Sequence, residues 1–514
     1  MSHQLTLRAL AGLGVVGALV ATTAIPAAAQ APAAELGLYF GNTTVAADGP
    51  GKLEYPVLYA SEPLVLPAAT ITIDLSGLNG KVVVDEPEDA SDCESPTPDK
   101  LVCTQPYEIE VDEWGTAGYF GFVLKAAPGA ADGDTGTLTA TFSAPGLAPA
   151  SHKATVRVGA AVDIAAGPEV EVSAAPGKAF SAKVTVTNPG DTAVDGLNVI
   201  FYDDYGLRAG RKYGNCTYAG DKLRTCAFDT RVGPGETFTA TLPYVVAEDA
   251  YAPGTDWGER IVTTRAEFED FADYVTENGG DLGDPGNDGE LKLVATAAAS
   301  GAQADVNPEN NWTLLTVNVT GTNGADLAAV GDSLTGAKGD VRTAEVGVAN
   351  NGPATLDFGR SGAEITRLDV VAPPGTTVVG VPDACYPMNG DDPDWDNPGK
   401  TGASRYRCAT GIELVAGEAV VYEFALRVDE VIADAAGIVE VNVPCPCEGF
   451  TRERDLDPAN DFAKLLVNPT SGGGGGLPVT GATTGLVAGA GGALLALGVT
   501  GFLLARRRRL RFTA

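Results

Sequence analysis

His152 is the one histidine beyond the N-terminal segment, and it stands just ahead of a predicted strand. A lone histidine can serve a catalytic triad only beside an activated nucleophile. No serine lies in G-x-S-x-G, and no Ser-x-x-Lys occurs. The eight cysteines read as structure instead. Cys93 and Cys103, then Cys216 and Cys226, are ten positions apart, while Cys385 and Cys408 are separated by 23, each pair lying before a strand. Spacing of this kind favours three local disulfides in an oxidising setting. Cys445-Pro446-Cys447 is either a small, reducible redox ring or, the better reading, a loop staple beside the closing strand. Carboxylates are the remaining chemistry. Asp281, Asp284 and Asp288 fall in an acidic stretch, Glu267 to Glu290, that reads as a long loop. Asp392, Asp394 and Asp396 have the i, i+2, i+4 spacing of a calcium loop, but Asn397 replaces its glycine and Ala403 its glutamate. These six are the only metal candidates, for calcium at most, and no other cofactor is implied. Trp257, Tyr251 and Trp395 lie near such loops and either stack on sugars or pack against strands.

One motif carries more information than these. Leu477-Pro478-Val479-Thr480-Gly481 is followed by an apolar run from Ala482 to Ala505, then by Arg506, Arg507, Arg508, Arg509 and Arg511. At about 1.5 Å per helical residue that run reaches about 36 Å, enough for a hydrocarbon core of about 30 Å. The arginines hold the C-terminus on the cytoplasmic side, so everything before Leu477 lies outside. Pentapeptide, span and basic tail in this order resemble the sorting signal of Gram-positive surface proteins processed by sortase. The resemblance implies cleavage after Thr480, which becomes joined to peptidoglycan, and a chain that touches the membrane only through its transient C-terminal segment.

The N-terminus agrees. Arg8, an uncharged apolar stretch from Leu10 to Ile25 and Ala27-Ala28-Ala29 form a cleavable signal peptide over residues 1–29. The chain therefore reads as secreted and then wall-anchored. Six of its 34 Lys and Arg lie in the two removable ends, which leaves 28 against 67 Asp and Glu, a net charge of about −39. A surface this acidic repels nucleic acid.

What positions these groups is a long β chain. Ile71, Ile73 and Leu75 alternate with polar residues, as do Tyr107, Ile109 and Val111, and the clearest run is Val420, Tyr422, Phe424, Leu426 and Val428. Period two with frequent Gly and Pro turns predicts strands with one buried face, and all-β sandwiches rather than helices. Internal repeats set the boundaries. Asn307-Pro308-Glu309-Asn310-Asn311-Trp312 returns as Asp457-Pro458-Ala459-Asn460-Asp461-Phe462, Asp163-Ile164-Ala165-Ala166 as Asp326-Leu327-Ala328-Ala329, and Val184 to Asn188 as Val346 to Asn350. The predicted layout is therefore three tandem immunoglobulin-like β-sandwich domains at 36–158 (divergent, closing with a strand Ala154 to Val158), 160–320 and 325–468, a Gly-rich linker at 469–476, and a sorting signal at 477–514 with a transmembrane helix at 482–505.

Asn351-Gly352-Pro353, Pro373-Pro374-Gly375-Thr376, the paired cysteines and the closing D-P-x-N-D resemble bacterial conserved repeats of unknown function and bacterial cell-adhesion-related domains. That resemblance implies a structural, spacer or adhesive surface protein, without catalytic residues, that meets an unknown surface or matrix ligand. The alternative is a wall-linked carbohydrate-active enzyme or carbohydrate-binding protein working through its first domain, and a cation-dependent matrix component is a third reading.

Overall fold

A computed structural model describes residues 34–85, 92–105, 107–293, 302–444 and 455–470. The sorting motif Leu477–Gly481, the apolar run, the N-terminal segment, Cys445 and Cys447 lie outside them. The described chain is mostly β. Among the described residues no helix is long and apolar enough to cross a membrane.

Alternation does what the pattern requires. In the strand Ala419–Val428, Tyr422, Phe424, Leu426 and Val428 are buried while Ala419, Val421, Glu423 and Arg427 face solvent. Each such side chain contributes about 1.5–3 kcal/mol on burial. In Ala69–Asp74 the same logic buries Ala69, Ile71 and Ile73. Tyr107 departs from it: it is 75% exposed, and its strand begins only at Ile109.

Buried side chains form three separate clusters, drawn from residues 38–158, 162–319 and 325–467. Each is enclosed by more than one sheet. Around the second core a four-stranded sheet, with the strand Ala179–Thr187 paired to Thr237–Val246, faces a seven-stranded one. The third core has the same two sheets with equivalent neighbours, Val341–Asn350 pairing with Ala419–Val428 in the smaller sheet. In all three an early strand runs parallel to the closing one: Thr43–Ala46 beside Ala150–Val162, Val170–Ala174 beside Trp312–Asn323, and Asp332–Leu334 beside Phe462–Val467.

The repeated sequences occupy equivalent places. Both proline motifs form a single 3-10 turn, Pro308–Asn310 and Pro458–Asn460, just before the closing strand. Asn310 donates to Asp163 at 3.0 Å, as Asn460 does to Asp326 at 2.8 Å. Asn188 and Asn350 are both fully buried. Asn188 donates to the carbonyls of Thr192 (2.8 Å) and Val232 (2.9 Å) and accepts from the Gly190 N–H (2.9 Å). Asn350 donates to Ala354 (2.7 Å) and Leu414 (3.2 Å) and accepts from Gly352 (3.1 Å). Each asparagine ties its own turn to the end of a neighbouring strand, at Val232 and at Leu414.

Two expectations change. The strand Ala150–Val162 does not close at Val158; it continues across the boundary, where Ala160–Val162 pair in parallel with Gln303–Asp305. Backbone approach there is close, and a Cβ on Gly159 would lie 2.9 Å from the Gln303 carbonyl carbon. The acidic stretch after Glu267 is not a loop at its start. Arg265–Glu277 is a helix with a complete capping box, in which Thr264 and Glu267 satisfy each other's backbone N–H. Its acids dock on the first unit: Asp270 accepts from Thr44 (2.7 Å) and pairs with Arg157, and Asp273 accepts from Asn42 (2.9 Å).

Candidate functional site

All three predicted disulfides are formed: Cys93–Cys103, Cys216–Cys226 and Cys385–Cys408. In each, the two cysteines are directly opposite partners on adjacent antiparallel strands. They staple the sheet near its edge, where pairing is least supported.

Of the aspartates proposed for calcium, Asp281, Asp288 and Asp394 accept hydrogen bonds from the protein and Asp284, Asp392 and Asp396 are exposed. Asp281 accepts from the Gly283 N–H (2.7 Å) and Asp288 from the Lys212 N–H (3.0 Å), while exposed Asp284 sits in a two-residue strand beside Tyr218. Asp394 accepts from the Asn397 amide (3.0 Å), Asp392 lies in a short hairpin with Asn389, and Asp396 is exposed. Among the described residues no three His, Cys, Asp or Glu side chains are grouped so as to hold a metal.

His152 lies inside a strand rather than ahead of one. Its Nδ1 accepts from the Phe40 N–H at 3.3 Å and its Nε2 is 4.0 Å from Glu277. It thus belongs to the contact between the first core and the helix, along with Tyr39, whose ring meets Tyr274 at 5.4 Å.

A cleft of about 730 Å³ opens where the second and third cores meet. Three chain segments far apart in sequence build it: the turn after Tyr202–Asp203, the approach into the strand Ala252–Thr264, and the loop after Leu356–Asp357. Two polar links cross the junction. Arg360 from the third unit donates to Asp204 (2.9 Å) and Glu259 (2.7 Å) of the second. Asp249 accepts from Tyr205 (2.6 Å) on its own side and from Thr355 (2.7 Å) on the other. Tyr251 packs against the third core, so its ring is structural, whereas Trp257 is 38% exposed on the cleft wall. Trp395 lies away from the cleft, 60% exposed and edge-on to Tyr386.

Three carboxylates line this cleft, Asp204, Asp256 and Asp357. Asp204 is satisfied by Arg360 and by the Trp257 N–H at 2.7 Å. The Oδ2 of Asp256 is buried and accepts no hydrogen bond. Burial first, and then repulsion from Asp204 and Asp357, pushes its carboxyl up to about 7. Just beneath, Asp203 is pushed up to about 6 by its burial, against the pull of Arg260 and the Tyr244 hydroxyl. Sequence reading singled out Trp257 and Tyr251 but missed the carboxylates beside them, since no local pattern joins residues about 50 and 100 positions apart.

No family model matches the chain, and no curated protein matches it. Among solved structures it aligns with the native conformation of alpha-2-macroglobulin from E. coli at 13% identity and TM-score 0.19, covering 66% of this chain and 20% of that one. The chain thus spans about a fifth of the length of that protein. A putative membrane anchored protein from Corynebacterium diphtheriae aligns at 11% identity and TM-score 0.16 over 85% of this chain and 89% of that one. A protein of unknown function from Porphyromonas gingivalis W83 aligns at 11% identity and TM-score 0.15, over 60% and 98%. At these scores none of the three bears on fold or function.

Proposed function

We propose that this chain is a secreted, sortase-anchored surface protein of a Gram-positive wall, built of three immunoglobulin-like sandwiches at 36–158, 160–320 and 325–468. It acts by contact and reach and turns over no substrate. The observation that carries the reading is the order of Leu477–Gly481, an apolar span of bilayer length and a cluster of arginines at one end of the chain. Sortase is the implied processing partner and peptidoglycan the covalent one. The three disulfides suit an extracellular setting. Parallel pairing of an early strand with the last, repeated over three cores, supports the immunoglobulin-like assignment. Polar links between neighbouring units, through Asp270 and through Arg360, support a role that transmits position along the chain.

Fractionation of a host that carries a matching sortase tests this. The unaltered chain is expected in the wall fraction, released by a wall hydrolase and not by detergent. A chain with both Leu477→Ala and Pro478→Ala is expected to remain in the membrane fraction. Release of both by detergent alone contradicts anchoring. Hydrolysis of a glycoside or ester by the purified chain, lost on a single Asp or Glu substitution, contradicts the non-enzymatic part.

A further inference from the structure

The cleft between the second and third cores has an imbalance of charge that the fold leaves uncorrected. Arg360 lines it, and its guanidinium is already committed to Asp204, Glu259 and the carbonyls of Tyr202 and Trp257. Asp204 and Asp357 also have partners, the latter accepting from the Gly359 N–H at 2.7 Å. Asp256 does not, since its buried Oδ2 accepts no hydrogen bond. Its seat is nevertheless cleared for it. A Cβ at position 206 would lie 2.0 Å from that oxygen, so a larger residue there would push the carboxylate aside. An unpaired buried carboxylate costs several kcal/mol while it is charged, a cost that a proton relieves below about pH 7 and a cation would relieve above it.

The class of ligand follows by exclusion. An anion is repelled by three carboxylates. A neutral sugar could stack on Trp257 but would leave the charge standing. A metal ion needs ligands that converge, and no such group exists among the described residues. An organic cation meets every condition: it neutralises Asp256, and the exposed indole of Trp257 and the half-buried ring of Phe358 offer apolar wall for methylenes. Arg360 shows the chemistry in place, a cation from one unit received by carboxylates and carbonyls of the next. We propose that this cleft binds an alkylammonium group, carried by a free diamine or by a lysine side chain of a partner, with Asp256 receiving the charge. The site goes beyond wall anchoring and does not depend on it.

The groups that face Asp256 are Asp204 and Asp357, which raise its proton affinity, and Arg208 and Lys222, which lower it. Binding should therefore weaken as the carboxyl is protonated. The test is calorimetric titration of the full-length chain in detergent with 1,5-diaminopentane, with a lysine-containing peptide, with N-acetylglucosamine and with adipate. The amines are expected to bind at pH 8 and to lose on the order of thirtyfold in affinity at pH 5.5, where a group titrating near 7 is almost wholly protonated. Asp256→Asn, which keeps the shape, is expected to lose tenfold or more at pH 8. Asp357→Asn, which leaves the seat intact and removes a more distant charge, is expected to lose only a few-fold. Whichever amine binds more tightly identifies its source. Binding of the sugar or of adipate alone, amine binding that Asp256→Asn leaves unchanged, or no binding of either amine overturns the proposal.

Discussion

Replacing Asp256 by asparagine should stabilise the protein, and by an amount that depends on pH in a fixed direction. The carboxyl titrates near 7 in the folded chain against 3.8 for an ordinary aspartate. Below about pH 4 it is protonated in both folded and unfolded states and contributes nothing. Between 4 and 7 the unfolded chain gives up the proton and the folded chain keeps it, so stability falls as pH rises. Above 7 the penalty is complete. At about 1.4 kcal/mol for each tenfold change in proton affinity, the shift corresponds to roughly 4 kcal/mol, and partial solvent access to the side chain reduces this to about 2–4 kcal/mol. Asn carries no such penalty. The variant and the parent should therefore unfold alike at pH 4, and the variant should gain steadily to a plateau above pH 7.5. Differential scanning calorimetry at pH 4, 6 and 8 reads this, with Trp257 fluorescence marking the transition that includes the cleft. A constant difference across that range, or a variant less stable than the parent at pH 8, would refute burial and repulsion as the state of Asp256.

Two more outcomes follow from the fold. Asn350→Ala strands the carbonyls of Ala354 and Leu414 and the Gly352 N–H inside the third core, and should cost about 3 kcal/mol in urea denaturation; a loss below 0.5 kcal/mol would show that the turn does not need its side chain. Replacing Cys216 and Cys226 together by serine opens a ten-residue crosslink and should lower stability by about 2–3 kcal/mol, while the same variant compared under full reduction should match the parent at that site.

Much of this architecture could be read in advance because its determinants are local. Period-two burial in Ala69–Asp74 and Ala419–Val428, the proline turns before the closing strands and the ten-residue cysteine spacing are all decided within a few residues of themselves. The helix Arg265–Glu277 escaped because its inward side is polar. Asp270 is buried against Thr44 and Arg157 of another unit, an acid at a position where sequence reading expects solvent. Thr264-x-x-Glu267 is the signal available in the sequence, a capping box at the head of the stretch that reads as a long loop. The cleft was invisible for another reason. Asp204 and Asp256 meet through the pairing of Val194–Asp203 with Ala252–Thr264 inside the second unit, and Asp357 joins them only where the third core abuts it, which nothing in any one segment encodes. The calcium spacing at Asp392 to Asp396 is not matched by a grouping of three ligands among the described residues.

Wall attachment is the claim on which the functional account turns, and the mass of one peptide tests it. Chains released from purified walls by a muralytic enzyme should end at Thr480, with a peptidoglycan fragment joined to that residue and Gly481 onward absent. A released chain whose C-terminal peptide still contains Arg506, or ends at an unmodified residue other than Thr480, would contradict it.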